Sequence, residues 1–358
     1  MSFEDGWAAI HLEMPKRVPR TEYSAAQHWE LVKEVTGIDV TVDSPDDVKA
    51  QARRAFVGPK GWNYDVHWST LISSGEFGEM RTSMGHAVYA AGGTDYNDQI
   101  TCPFKEPEEV LAFDPMEVFG TKDHAELVRR FEEHYKRNSE NTPDGVNMTG
   151  VYVTCISGLI ALFGWDMLLL AAGVDPEAFG ALTNRYAAWV QQYFNAIGDA
   201  DVPVVMVHDD IVWTSGPILR PDWYREYVFP NYEKYLRPML DSGKKILFTS
   251  DGDYTEFIDD IADCGVHGFV MGAHDRHGLH CGEVRQDARL HRQRRHAHPA
   301  VGLAGGDPRR GGAVHGPRQA VPRLLHGRGQ SHPRQHAGGE RPLLRRGLPG
   351  AERAVASA

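Results

Sequence analysis

Four ionisable side chains stand where two apolar runs end, and their types suit acid–base chemistry. His208, Asp209 and Asp210 follow the run PVVMV, and Asp251 follows shortly after the run KILF. Carboxyl and imidazole groups that lie close together shift one another's pKa, as general acids and bases require. We therefore predict that these four residues are catalytic, with helix capping by the aspartates as the structural alternative.

The segments around these residues alternate between strand and helix patterns. The sequence predicts strands at 203–207, 245–248 and 267–271, and helices at 221–240, with a kink at Pro230, and at 254–264. Each strand is apolar throughout, as expected where both faces of a sheet are covered. Strands and helices at this spacing are typical of a parallel sheet, whose carboxyl ends share one edge. The four candidate residues should lie together at that edge.

Aromatic residues supply the candidates for substrate binding. Trp213 follows the first strand, and Trp62, Tyr64 and His67 form a dense group nearer the N-terminus, where an alternating pattern predicts hairpin strands. Aromatic faces can stack on a planar or cationic molecule. We predict that all four bind substrate. The alternatives are core packing for Trp213 and packing within the hairpin for the other three.

Charge and composition exclude several classes of partner. Residues 1–271 carry 22 Lys and Arg against 43 Asp and Glu, a balance that argues against nucleic-acid binding. The four cysteines lack metal-ligand spacing, and we expect no metal site. The apolar stretch 155–174 is interrupted by Gly164 and Asp166, which favours a buried helix pair over a membrane span. Without a signal-peptide pattern, a cytoplasmic enzyme is expected.

The composition changes abruptly after Met271. Residues 272–358 contain 16 Arg and ten of the 18 His, but no Lys, Ile, Phe, Tyr, Trp, Asn, Thr or Met. A folded core needs large apolar residues of those kinds. A restriction to residues with GC-rich codons is typical of a gene read in the wrong frame, and a shift of one nucleotide after the Met271 codon is compatible with strand-like and helix-like patterns. We predict a domain at 1–271 and an out-of-frame, disordered tail at 272–358; a genuine Arg-rich tail is the alternative.

Two long segments resemble a known family. VVMVHDDIVWTSGPILRPDWYREYVFPNYEKYL and ILFTSDGDYTEFIDDIADCG, with the strand GFVM and the early stretch MPKRVPRTEY, are similar to the uroporphyrinogen decarboxylase superfamily. The resemblance implies an α/β fold, a (βα)8 TIM barrel with its site at the carboxyl ends of the strands, incomplete if the tail is out of frame. It implies a small-molecule substrate, a corrinoid or tetrahydrofolate as methyl carrier, a corrinoid protein as partner, and a homodimer.

The chain departs from both activities known in that superfamily. The decarboxylases carry an RQAGR-type motif that binds substrate carboxylates; here Arg17 and Arg20 are only a loose substitute. The zinc methyltransferases carry a His-x-Cys pair where this chain reads FTSDG at 248–252, and zinc requires such ligands. We therefore expect methyltransferase-like chemistry without zinc–thiolate. Porphyrinogen decarboxylation and a non-functional, incomplete barrel are the alternatives.

Overall fold

The computed structural model describes residues 1–22, 25–82, 101–271 and 301–304. The helices are α1 Phe3–Ile10, α2 Trp29–Thr36, α3 Asp46–Val57, α4 Pro107–Ala112, α5 Pro115–Phe119, α6 His124–Asn141, α7 Ile156–Val174, α8 Pro176–Asp199, α9 Pro221–Tyr227, α10 Phe229–Asp241 and α11 Ile258–Asp263. The strands are β1 Val66–His67, β2 Val146–Asn147, β3 Thr149–Val151, β4 Val204–His208, β5 Val212–Trp213, β6 Gly216–Pro217, β7 Lys245–Thr249, β8 Gly268–Met271 and β9 Val301–Ala304. Short 3₁₀ helices lie at Ala25–Gln27, Ser74–Met80 and Thr255–Phe257.

A parallel sheet forms the centre of the fold. Its five strands lie in the order β3-β4-β7-β8-β9, and every neighbouring pair is parallel. β1 pairs in parallel with β2, which a single residue, Met148, separates from β3. The α/β fold with a parallel sheet is therefore confirmed. Within the described ranges the sheet does not close on itself, so the complete eight-stranded barrel stays an expectation of the family.

The two faces of the sheet are buried in different clusters, because successive strand residues point to opposite sides. Val205 and Val207 of β4 pack against the helices in the main core. Val204 and Met206 belong to a second cluster, which includes Ala9 and Ile10 of α1. Helix α1 thus packs against the face of the sheet opposite to the main core.

Helix α8 begins where the sequence predicts. The Asp175 carboxylate accepts a hydrogen bond from the Ala178 backbone N–H at 2.9 Å, and Pro176 occupies the first helical position. By contrast, the single kinked helix predicted at 221–240 is two helices. The chain ends α9 at Tyr227 and starts α10 at Phe229, with Pro230 in the first turn, where its missing N–H costs no hydrogen bond.

Helix α7 is the most apolar helix in the described part of the chain. Gly164, at φ 72°, breaks it into two segments, which agrees with the predicted helix pair. By length and composition α7 could cross a membrane, but 67% of its most apolar 18-residue stretch is buried against the rest of the chain, as in a core helix. The exposed apolar residues lie in the second segment: Leu169, Leu170 and Val174.

The aromatic N-terminal segment does not form the predicted hairpin. Val66 and His67 pair in parallel with Val146 and Asn147, far along the chain. The alternating pattern indicated an extended strand correctly, but alternation carries no information on the direction of the partner strand. Much of the rest of this segment, residues 83–100, lies outside the described residues.

Candidate active site

The ionisable residues gather at the carboxyl edge of three neighbouring strands. β3 ends at Val151 and β4 at His208, and the register pairs Val151 with Val207 and His208 with Thr249 of β7. The residues that follow these strands therefore lie at about the same level along the sheet. As predicted from the strand pattern, the loops after β4 and β7 place their polar side chains beside one another.

His208 and Asp210 form a buried ion pair. The His208 Nε2 lies 3.3 Å from the Asp210 Oδ1, and only 4% of the histidine is exposed. Burial alone would lower the pKa of His208, but the Asp210 carboxylate, the hydrogen bonds on the ring and the Asp251 charge raise it to about 9. The imidazole is therefore protonated at neutral pH.

Asp251 completes this cluster from the neighbouring strand. Its backbone N–H donates to the Asp210 Oδ1 at 3.0 Å. Burial, together with the negative charge of Asp210, raises the pKa of the Asp251 carboxyl to about 7. A group with that pKa can give or take a proton near neutral pH. We call His208, Asp210 and Asp251 the acid–base cluster.

Asp209 faces a different part of the fold. Its fully buried carboxylate accepts hydrogen bonds from the Ile156 N–H at 3.1 Å, the Ser157 N–H at 2.6 Å and the Tyr232 hydroxyl. Burial raises the pKa of Asp209, and these donors oppose the shift. This is the capping arrangement named as the structural alternative, in which the carboxylate satisfies the first N–H groups of α7. The catalytic role predicted for Asp209 stays a prediction that its contacts do not favour.

Ser157 and Tyr152 were not singled out by the sequence. The Ser157 Oγ accepts a hydrogen bond from the Asp210 N–H at 2.6 Å and lies 3.5 Å from the His208 Nδ1. The Tyr152 carbonyl accepts from the His208 Nδ1 at 2.9 Å. A polar residue at the second position of a helix, facing a strand end, was the only signal for Ser157. No sequence signal identified Tyr152.

Trp213 lies beside the acid–base cluster. Its backbone carbonyl would be 2.4 Å from a Cβ placed on Gly252, the residue after Asp251. Gly252 has φ 87°, so the close approach and the backbone conformation both require glycine. The indole of Trp213 is 51% exposed and meets Trp165 edge to face at 4.9 Å. The two indoles give the site an accessible aromatic wall, and sequence reasoning missed Trp165.

The two arginines proposed for carboxylate binding are occupied elsewhere. The Arg17 guanidinium forms an ion pair with the fully buried Asp65 and lies 3.7 Å from the Asp5 carboxylate. The Arg20 backbone N–H donates to the Asp65 Oδ2 at 2.7 Å, and its guanidinium lies 5.1 Å from the centre of the Trp62 ring. These contacts neutralise a buried carboxylate and pack the N-terminal segment.

The N-terminal aromatic group is also remote from the acid–base cluster. His67 pairs with Asn147, roughly 16 Å before the level of His208 along the strand direction. Tyr64 is 2% exposed, and Trp62 packs on Phe56 at 4.9 Å. Burial lowers the pKa of His67 to about 4, so it is neutral. The structure therefore places Trp62, Tyr64 and His67 in packing positions and does not bring them to Trp213.

Within the described ranges, no group of three or more His, Cys, Asp and Glu residues is arranged to hold a metal ion. In the acid–base cluster, the His208 Nε2 pairs with the Asp210 Oδ1. The same Asp210 oxygen accepts a hydrogen bond from the Asp251 backbone N–H.

Comparisons with known proteins place this chain in a family. No curated protein sequence matches the chain significantly. Among the solved structures that match is a methyltransferase from Methanosarcina mazei, with 14% sequence identity, 75% of each chain covered and a TM-score of 0.45, a likeness too low to support any argument about activity. Residues 100–291, more than half of the chain, match the family model of uroporphyrinogen decarboxylase (URO-D). The chain therefore belongs to the uroporphyrinogen decarboxylase family.

Proposed function

We propose that this chain is an enzyme that transfers a methyl group from a small substrate, with Asp251 as the proton donor. The arrangement of the acid–base cluster carries the proposal. His208 carries a positive charge, Asp210 links it to the next strand, and the pKa of Asp251 is raised to about 7.

The roles follow from the charges. The protonated His208 pairs with the Asp210 carboxylate, and the negative charge of that carboxylate favours the protonated form of Asp251. In a substrate with a methyl group on nitrogen or oxygen, the bond from that atom to the methyl carbon breaks and its electron pair stays on the nitrogen or oxygen. That atom then takes the proton from Asp251, which becomes a carboxylate and is protonated again from water.

The aromatic wall suits the carrier that the superfamily uses. The half-exposed Trp213 indole, which Trp165 meets edge to face, offers a ring face near the loop of Asp251 on which a planar ring can stack. A corrinoid or a tetrahydrofolate would supply the nucleophile that receives the methyl group. The residues present therefore fit such a carrier, whether it is free or held by a corrinoid protein.

Porphyrinogen decarboxylation, the activity in the family's name, is the second candidate. Its substrate carries several carboxylates, which need cationic partners. In the described part of the chain the cluster contributes two carboxyls and one imidazolium, and Arg17 and Arg20 lie at the other end of the strands. This charge distribution favours methyl transfer.

The proposal is tested with the purified full chain on methylated amines, methoxy compounds and porphyrinogens, measuring both the methylated carrier and released CO2. Asp251→Asn should lower kcat by on the order of 100-fold or more. Asp253→Asn is the matched control, because Asp253 lies two residues away and accepts a hydrogen bond from the Thr255 N–H outside the cluster. CO2 release without methyl transfer, or equal rates for Asp251→Asn and the wild type, would contradict the proposal.

A further inference from the structure

Tyr152, the first residue after β3, touches His208 in two separate ways. Its phenol ring stacks on the imidazole, with the ring centres 3.7 Å apart and the planes 5° from parallel. Its backbone carbonyl also accepts the hydrogen bond from the His208 Nδ1 at 2.9 Å. One residue therefore fixes both the plane of the imidazole and the direction of one of its nitrogens.

The carbonyl determines which nitrogen can exchange a proton. A carbonyl oxygen only accepts, so the Nδ1 keeps its hydrogen whether the ring is neutral or charged. Protonation is thereby confined to the Nε2, which faces the Asp210 Oδ1 at 3.3 Å. Without this contact, rotation about the Cβ–Cγ bond could exchange the two nitrogens.

The stacked ring favours the charged imidazole. The face of an aromatic ring carries partial negative charge, so it attracts a cation that lies over it. It also covers one face of a ring that is already 96% buried, which keeps water from competing with Asp210 for the Nε2 proton. The ring thus acts through orientation and electrostatics, without touching a substrate.

We propose that Tyr152 is a positioning residue of the active site, which holds the His208 ring so that its Nε2 faces Asp210. The inference rests on the proposed function for its catalytic meaning, while the positioning itself can be measured without a substrate. Asp251 depends on it indirectly, since Asp210 links the histidine to Asp251.

Other groups also act on His208, and an experiment must separate them from Tyr152. Asp210 pairs with it, Asp251 adds a second negative charge, and Asp209 contributes from the next position. Ser157 is the neutral neighbour, with its Oγ 3.5 Å from the Nδ1. None of these four side chains is altered by a substitution at Tyr152.

The test is the NMR titration of His208 in the full chain, with selectively labelled histidine and assignment from a His208→Asn spectrum. Tyr152→Leu removes the stacked ring and keeps the carbonyl, and Tyr152→Phe, which keeps the ring, is the matched control. The titration midpoint should fall by roughly 0.5 to 1 pH unit in Tyr152→Leu. It should stay within ~0.2 unit of the wild type in Tyr152→Phe, since the ring face is preserved. Equal midpoints for the wild type and Tyr152→Leu would overturn the proposal.

A measurement on the wild type alone keeps the inference testable if Tyr152→Leu does not fold. A stacked phenol shifts the His208 ring protons upfield and gives nuclear Overhauser contacts between the two rings. Absence of both signals would refute the stacking. If these signals are present and no substrate is turned over, the proposed function fails while the positioning of His208 stands.

Discussion

Replacing Asp251 by asparagine should make the folded protein more stable at pH 8 even though it removes the proposed acid. The usual pKa of an aspartate is 3.8, and burial beside Asp210 raises that of Asp251 to about 7. Below about pH 4 the carboxyl is protonated in both the folded and the unfolded chain, and above about pH 7 it is ionised in both. Between these values only the unfolded chain releases the proton, so the wild type loses stability as the pH rises.

The magnitude follows from the shift. About three pH units correspond to roughly 4 kcal/mol at 1.36 kcal/mol per unit. Because Asp251 is partly exposed and solvent weakens its interactions, we expect a smaller gain of about 2 kcal/mol from Asp251→Asn. Asparagine preserves the shape and leaves the backbone hydrogen bond to Asp210 in place.

Urea denaturation of the wild type and Asp251→Asn at pH 4 and pH 8 measures the effect. The two proteins should have similar free energies of unfolding at pH 4, and the variant should be more stable at pH 8. Asp253→Asn is the control, because asparagine keeps an oxygen that can accept from the Thr255 N–H outside the cluster, so stability should change little at either pH. A variant no more stable than the wild type at pH 8 would refute the raised pKa of the Asp251 carboxyl.

Three further outcomes are expected. Asp209→Ala should cost about 3 kcal/mol in urea denaturation, because it leaves buried N–H groups of α7 unpaired, whereas the exposed cap variant Asp175→Ala should cost about 1 kcal/mol; equal losses would contradict the buried cap. Trp213→Ala should raise KM about tenfold with little change in kcat or stability, since its indole is 51% exposed; a loss confined to kcat would contradict a role in binding. Sequencing the source gene across the codons for residues 269–276 should reveal one surplus G after the Met271 codon; an intact frame would refute the frameshift.

The central strands and the ionisable edge were accessible from the sequence because each depends on local pattern. β4 and β7 each contain an apolar run, VVMV and ILF, and neighbouring parallel strands bring their carboxyl ends together. His208, Asp210 and Asp251 therefore lie where the pattern predicts. The separate task of Asp209 could not be foreseen, because three consecutive ionisable residues give no local signal of which one turns toward a helix.

The features that the sequence did not indicate depend on contacts between residues that are distant along the chain. Trp62, Tyr64 and His67 resemble a binding group in composition, but the position of β1 depends on Val146 and Asn147, some eighty residues later. The importance of Tyr152 depends on His208 in the same way. Pairings of this kind are set by the folded topology and leave no trace in the local sequence.

The boundary predicted at Met271 stays a prediction. Residues 272–300 and 305–358, which contain most of the proposed disordered tail, lie outside the described residues. Val301–Ala304 pairs in parallel with β8, and the family match continues past Met271 to residue 291. Both observations make the gene sequence the decisive test of the reading frame.

The two halves of α7, which Gly164 separates, differ in how well they should tolerate substitutions. The first half is bound to the Asp209 carboxylate through the N–H groups of Ile156 and Ser157, so almost any change there will disturb folding and chemistry together. The second half exposes Leu169 and Leu170 beyond the break. Lysine or glutamate at those two positions would remove apolar surface that promotes aggregation. Leu169 and Leu170 are therefore the positions at which to improve solubility or attach a reporter, while Trp165 at the start of the second half is kept as part of the aromatic wall.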